Sequence, residues 1–352
     1  MRALTVIPEH PGSAAVTDVG EPDPGQGDVL VDALAIGVCG TDREIIAGEY
    51  GQAPAGQERL VLGHESLGVV KEAPPGSGFA AGDLVVGIVR RPDPVPCDAC
   101  ARGEFDMCRN GLFKERGINQ LDGYGSERWR VESDYCVKLD PDLRSVGMLM
   151  EPTTVVAKAV EQMRRIGKTM GFEARRVLVT GAGPIGLLGA MLGVQMDLEV
   201  HVLDRVTDGT KPQLVEDLGA TYHSGDITEA MGKAKANAIL EATGVGKLVF
   251  DAMDNLAPGG VVCLTGLSPA GGTLSVEGGS INRDLVLQNN VVLGSVNANR
   301  RHYQAAAEAL AAADRSWLER LITRRVPLEN YEEALETRPD DVKVVIEIGT
   351  AA

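Results

Sequence analysis

What this chain lacks narrows its role first. Its 352 residues hold no apolar run near the roughly 18 that a membrane-spanning helix needs. Residues 1–8 have no long apolar core, so no secretory signal is expected and a soluble cytoplasmic protein is the default. Positive charge is scarce. Lys and Arg number 34 against 50 Asp and Glu, which gives a net charge of −16 and an isoelectric point near 4.8. That deficit argues against nucleic acid or an anionic membrane surface as partner. No internal repeat or low-complexity tract is visible. The composition, 44% apolar and 24% charged, is that of an ordinary globular protein, and the length suits two domains.

The six cysteines stand at 39, 97, 100, 108, 136 and 263. Three crowd between 97 and 108, a clustering that suggests metal rather than disulfides in a cytosolic chain. Cys136 and Cys263 read as small core residues. His10, His201, His223 and His302 have no ligand-spaced partners and read as structural. Trp129 and Trp317 read as packing residues.

The first 155 residues read as a β-rich domain, with short apolar runs at 29–31, 67–70 and 84–87 between Gly and Pro turns. A long segment from Arg90 to Asp122 shows little periodicity, which suggests a functional or metal-stapled loop. Beyond Glu151 and Pro152 the texture changes. Residues 155–166 have helical spacing that ends near Gly167. Strand patterns at 175–180, 199–204, 238–242, 260–265 and 291–296 then alternate with helices, the mark of a doubly wound parallel sheet. From about Arg300 a helix over 303–313 and a strand over 342–348 are expected to return to the first domain. The expected division is therefore 1–155 completed by 300–352, with a nucleotide-binding domain at 156–299.

Gly181-Ala182-Gly183-Pro184-Ile185-Gly186 fits G-x-G-x-x-G in the context that gives the pattern meaning: after a strand, opening a helix, before a second strand. Such a turn lets a pyrophosphate approach free N–H groups at a helix N-terminus. Asp204 ends the second strand, where a carboxylate accepts from a ribose 2′-hydroxyl and favours NAD. Arg205 beside it could hold the 2′-phosphate of NADP. Thr243, in the turn after the strand at 238–242, joins the expected cofactor-binding residues.

Cys39, His64 and Glu65, each near a glycine, are the right chemistry for a catalytic zinc with an open coordination position. Glu65 and Glu151 compete for the third protein ligand, and Glu65 could instead steer from behind the metal. Thr41 could hydrogen-bond a substrate oxygen and relay its proton, or could serve only as a turn hydroxyl. Zinc beside a nicotinamide cofactor suggests alcohol oxidation.

Cys39-Gly40-Thr41-Asp42, Gly63-His64-Glu65, the cysteine cluster and the glycine turn together resemble the zinc-dependent medium-chain dehydrogenases over essentially the whole chain. The finer match is to the archaeal-type glucose 1-dehydrogenases, carried by residues 42–48, 60–65, 89–91, 113–118, 151–152 and 294–297. The resemblance implies a GroES-like catalytic domain and a Rossmann domain with the active site between them. It implies zinc contacts from Cys39, His64 and Glu151, with Glu65 in or beside the first shell. Glu115 and Asn297 would meet sugar hydroxyls, and the assembly would be a homodimer or homotetramer. Position 89 is Val where some relatives carry Asn, which bears on the sugar preferred. Cysteine lobes in this family usually hold four thiolates. Here Pro94 stands in the first slot, leaving Cys97, Cys100 and Cys108, with Asp93 as a candidate fourth ligand to a structural zinc.

The expected reaction is oxidation of C1 of a pyranose aldose to the lactone. A polyol, cyclitol or amino-sugar dehydrogenase shares every motif. A catalytically silent nucleotide-binding sensor is the rival of another class. Arg90 and Arg91 leave room for a phosphorylated substrate.

Overall fold

The computed structural model describes residues 1–269 and 272–349. The chain forms two compact units, residues 1–151 with 297–352 and residues 152–296.

In the first unit a mixed sheet runs in the order Cys136–Lys138, Leu84–Gly87, Glu65–Glu72, Val29–Val38, Lys343–Glu347, Ile322–Pro327, with Arg128–Val131 also paired to Val29–Val38. Strand Val29–Val38 is central because ten residues of mostly apolar sequence allow it to pair with three others. Its Val29, Val31, Ile36 and Val38 pack with Leu62, Val85, Tyr124, Trp129, Val344 and Ile346 in one buried cluster. The aperiodic segment 90–122 forms a small sheet of Arg90–Arg91, Lys114–Arg116 and Gln120–Leu121, together with two short helical turns, Asp98–Ala101 and Phe105–Met107.

The second unit holds six parallel strands in the order Thr221–Ser224, Glu199–Asp204, Arg176–Thr180, Ala238–Glu241, Val261–Leu264, Val291–Gly294. Counted within the unit this is 3-2-1-4-5-6, the dinucleotide-binding order, with the strand order reversing at the first strand. Leu178, Leu203, Ile239 and Val262 share its core with Ile227, Met231 and Leu256.

The helix expected over 155–166 is longer, Met150–Met170. Pro152 sits in its first turn, where a missing N–H costs nothing. Gly167 does not end it; Phe172 closes over that glycine, and the break comes at Gly171 with φ 68°. Among the described residues no helix is long and apolar enough to cross a membrane.

Candidate active site

Cys39 follows strand Val29–Val38 and caps the helix Gly40–Ile46. Its Sγ accepts from the Thr41 N–H at 3.2 Å, and its own N–H donates to Asp42 Oδ2 at 2.9 Å. This reciprocal cap fixes the direction of the thiol. His64 stands immediately before strand Glu65–Glu72, with Nε2 3.0 Å from Cys39 Sγ and Nδ1 3.4 Å from Asp42 Oδ1. Asp42 therefore orients the cysteine through the cap and faces the imidazole with its other oxygen at ion-pair distance. Sequence reasoning missed that role, although its place three residues after Cys39 is the capping-box signal.

Glu65 is 2% exposed and ion-paired through Oε2 with Lys343, itself 2% exposed and donating to Val38 O at 3.1 Å. Gly37 is the register partner of Glu65, and a Cβ there would stand 1.9 Å from Glu65 Oε2. Only glycine leaves room for the carboxylate.

Cys39, His64 and Glu65 each offer one ligand atom, and the three atoms lie within 4.8 Å of one another. Thiolate, imidazole and carboxylate at that spacing fit a zinc ion. The charges agree. Burial opposes a charged His64, yet Cys39 and Asp42 outweigh it and hold the imidazole well above its ordinary pKa. A field that retains a proton there suits a divalent cation. Glu151 lies outside the three-residue group. Burial pushes its carboxyl up to about 7, with His64 opposing and Glu65 adding to the shift. Thr41 is half-buried, and its hydroxyl takes no hydrogen-bond partner among the described residues.

Glu115 and Asn297 meet directly, Asn297 Nδ2 donating to Glu115 Oε1 at 2.6 Å. Asn297 has φ 60°, a left-handed conformation that asparagine tolerates better than most residues. Val89 is buried. Arg90 and Arg91 are both engaged, which removes the ground for a phosphorylated substrate. Arg90 donates to Glu115 Oε1 and Asp106 O, and Arg91 forks onto Glu132 and reaches Ile88 O.

Cys97, Cys100 and Cys108 form a second group with ligand atoms within 4.8 Å of one another. Backbone N–H groups of Cys100 and Arg109 lower the Cys97 thiol to about 6, while burial raises that of Cys100 to about 11. Asp93 is buried but outside this group; Oδ1 accepts from Val95 N at 2.8 Å, and Oδ2 has no partner among the described residues. Cys136 and Cys263 are buried thiols pushed up to about 12 by desolvation, inert by that measure.

In the second unit the glycine turn joins strand Arg176–Thr180 to helix Pro184–Gln195, with Pro184 at the first helical position. Gly181 has φ 92°, and a Cβ on Gly186 would sit 1.7 Å from Gly181 O, so the turn packs only as glycine. Beside Gly183 a Cβ would meet nothing, which leaves the helix N-terminus open to a phosphate with Ile185 half-buried next to it. Asp204 braces the turn, Oδ2 accepting from Ala182 N at 2.6 Å and Oδ1 from Val206 N at 3.1 Å. Arg205 is exposed. Thr243 packs against Gly181, and its hydroxyl and N–H both donate to the fully buried Glu241. These residues fit a dinucleotide.

Three histidines read as structural have identifiable work. His201 Nδ1 and His223 Nε2 are 2.8 Å apart, and His201 Nε2 lies 3.2 Å from Glu199 Oε1. His302 Nδ1 accepts from Asn299 N at 3.1 Å and caps the helix Arg300–Ala312.

A parallel sheet in the 3-2-1-4-5-6 order and a Cys–His–Glu donor set define a metal-assisted, nucleotide-linked dehydrogenase. The chain belongs to the zinc-dependent medium-chain dehydrogenase family. The alcohol dehydrogenase GroES-like domain matches residues 25–141, and the glucose dehydrogenase C-terminus matches residues 144–348. The chain is 41% identical to the glucose 1-dehydrogenase of Methanocella arvoryzae over 99% of this chain and 100% of that one. It is also 41% identical to the glucose 1-dehydrogenase of Thermoproteus tenax, again over 99% and 100%. Among solved structures, Haloferax mediterranei glucose dehydrogenase in complex with NADP, Zn and gluconolactone matches with a TM-score of 0.90 at 32% identity over all of both chains.

Proposed function

We propose that this chain oxidises C1 of an aldose, glucose or a related sugar, to the aldonolactone and passes hydride to NAD or NADP at a zinc-dependent site. The observation that carries the reading is the Cys39–His64–Glu65 donor set in a chain 41% identical, end to end, to a glucose 1-dehydrogenase. When bound, zinc supplies Lewis acidity toward the sugar oxygen and the nicotinamide supplies the hydride acceptor.

The chain's own residues do the rest. Cys39 and His64 hold the metal, with Glu65 or Glu151 completing the set. Asp42 faces the imidazole Nδ1 at 3.4 Å as its buried counter-charge, on the side away from Cys39. The Thr41 hydroxyl hydrogen-bonds the reacting oxygen and relays its proton, passing its own on to solvent, which its half-buried position allows. Glu115 and Asn297 orient the ring through its hydroxyls, contacts that discriminate strongly because a missing hydroxyl strands a buried polar group. In the second unit, the turn Gly181–Gly186 cradles the pyrophosphate, Asp204 favours the NAD ribose, and Arg205 admits NADP. The buried Val89 side chain offers a sugar no hydrogen bond, which favours a polyol or cyclitol as the second reading.

Cys97, Cys100 and Cys108 are assigned to a structural zinc, with Asp93 Oδ2, unpartnered among the described residues, as the fourth ligand. Six free thiols suit the cytoplasm. A second copy of the chain would cover the edge strand Val291–Gly294 and the neighbouring exposed Val286 and Leu287, which supports a homodimer or homotetramer.

A panel of aldoses and cyclitols, run with NAD and with NADP before and after chelation, tests the function. Glucose oxidation that depends on zinc is expected; oxidation surviving complete zinc removal would falsify the mechanism. Metal analysis giving two zinc ions per chain supports the cysteine site, and one rejects it.

A further inference from the structure

We propose that Arg90 is a positioning residue that decides what Glu115 recognises: it makes this carboxylate a charge-neutralised acceptor with one free oxygen, suited to sugar hydroxyls and turned away from ammonium groups. The inference rests on the aldose reading above and narrows it.

Arg90 and Glu115 are register partners on adjacent antiparallel strands, and both side chains are buried. Arg90 puts Nε at 3.1 Å and Nη2 at 2.9 Å from the same oxygen, Glu115 Oε1, and Asn297 Nδ2 adds a third donor at 2.6 Å. That oxygen has no lone pair left for a ligand. Oε2 takes no hydrogen bond from the described residues and is not sealed off by burial. It alone is offered to a substrate.

The arginine cannot swing away. Nη1 donates to Asp106 O at 3.1 Å, and the guanidinium lies 3.7 Å over the Phe113 ring. Asp106 Oδ1 in turn accepts from Asn299 Nδ2 at 2.8 Å. Charge follows from this geometry. A bare buried carboxylate would draw a cation. Paired with Arg90 it presents no net charge, and an ammonium on the sugar would face the guanidinium with no ion pair to gain. A hydroxyl donates to Oε2 at no such cost. The amino-sugar alternative is therefore the one this site disfavours.

The test compares the full-length enzyme with Arg90→Met and Arg90→Lys on glucose and on its 2-amino and 3-amino analogues, below the amine pKa. Wild type should favour glucose in kcat/KM. Arg90→Met should raise the glucose KM about tenfold with kcat within about threefold, the size expected for a lost charged hydrogen bond. It should also move discrimination about tenfold toward an amino sugar, because the carboxylate is left uncompensated. Arg90→Lys keeps the charge without the fork, so it should restore discrimination but not the full KM. An unchanged KM and unchanged discrimination in Arg90→Met, or a fall in kcat alone, overturns the proposal. Should Arg90→Met fail to fold, Phe113→Leu loosens the same guanidinium; a KM raised about threefold supports the proposal, and an unchanged KM overturns it. A wild-type enzyme with no turnover on any aldose is a different result, which refutes the function rather than the role of Arg90.

Discussion

Replacing Lys343 by Met should destabilise the first unit more than any surface change. Lys343 and Glu65 are each 2% exposed and paired with each other, so the substitution leaves a buried carboxylate without its cation. Breaking one side of a buried pair costs about 3–5 kcal/mol. Val38 O loses its donor as well, which accounts for about 1 kcal/mol of that total. For a unit of roughly 200 residues each kcal/mol moves the melting point by about 2–4 °C, so a fall of about 6–20 °C is expected. Tryptophan fluorescence reports on this unit alone, since Trp129 and Trp317, the chain's two tryptophans, both belong to it and are 2% and 4% exposed. The measurement belongs in chelator, where no metal compensates Glu65. Adding Glu65→Gln removes the stranded charge, and the double variant should recover all but about 1–2 kcal/mol. A single substitution costing under about 1 kcal/mol, or two substitutions whose effects simply add, would refute the electrostatic account of this pair.

Two further perturbations address the second unit. Burial, aided by His201 and Lys233, lowers the His223 pKa below its ordinary 6.5. The unfolded chain then binds the proton first as pH falls, so the stability present above pH 6.5 is lost as pH drops through the folded value. Protection factors of strands Glu199–Asp204 and Thr221–Ser224, which correct for the slower intrinsic exchange in acid, should fall below pH 6.5 in wild type and much less in His223→Gln; equal acid sensitivity in both rejects the linkage. Asp204→Gly should raise the NADP-to-NAD ratio of kcat/KM about tenfold, and it should weaken both cofactors because Ala182 N loses its 2.6 Å acceptor. An unaltered ratio removes Asp204 from cofactor choice.

The parallel-sheet half of this fold was legible in the sequence because its signals are local. The strand patterns at 175–180 and 199–204 became Arg176–Thr180 and Glu199–Asp204, and the glycine turn sits between strand and helix as its spacing implies. Chain punctuation misled where tertiary contact overrides it: Gly167 reads as a stop but lies under Phe172 inside a continuing helix. In the candidate site, Cys39, His64 and Glu65 were readable from residue type and neighbouring glycines. The residues that orient them were not. Lys343 looks like any strand lysine until strand pairing brings it beside Glu65 from 278 positions away. Arg90 and Arg91 leave room for a phosphorylated substrate until register pairs Arg90 with Glu115 and folding brings Glu132 to Arg91. His201 and His223 become partners only because their strands are neighbours in the sheet.

The strand Lys343–Glu347 also bears on biosynthesis. Glu65 leaves the ribosome early, yet its counter-ion follows 278 residues later, roughly 15–55 s at ordinary elongation rates. Within that interval the second unit, residues 152–296, is itself synthesised and becomes free to form its sheet, while the first still lacks the strand that closes its central pairing. A nascent chain thus carries Cys39, His64 and an uncompensated Glu65 together before Lys343 arrives.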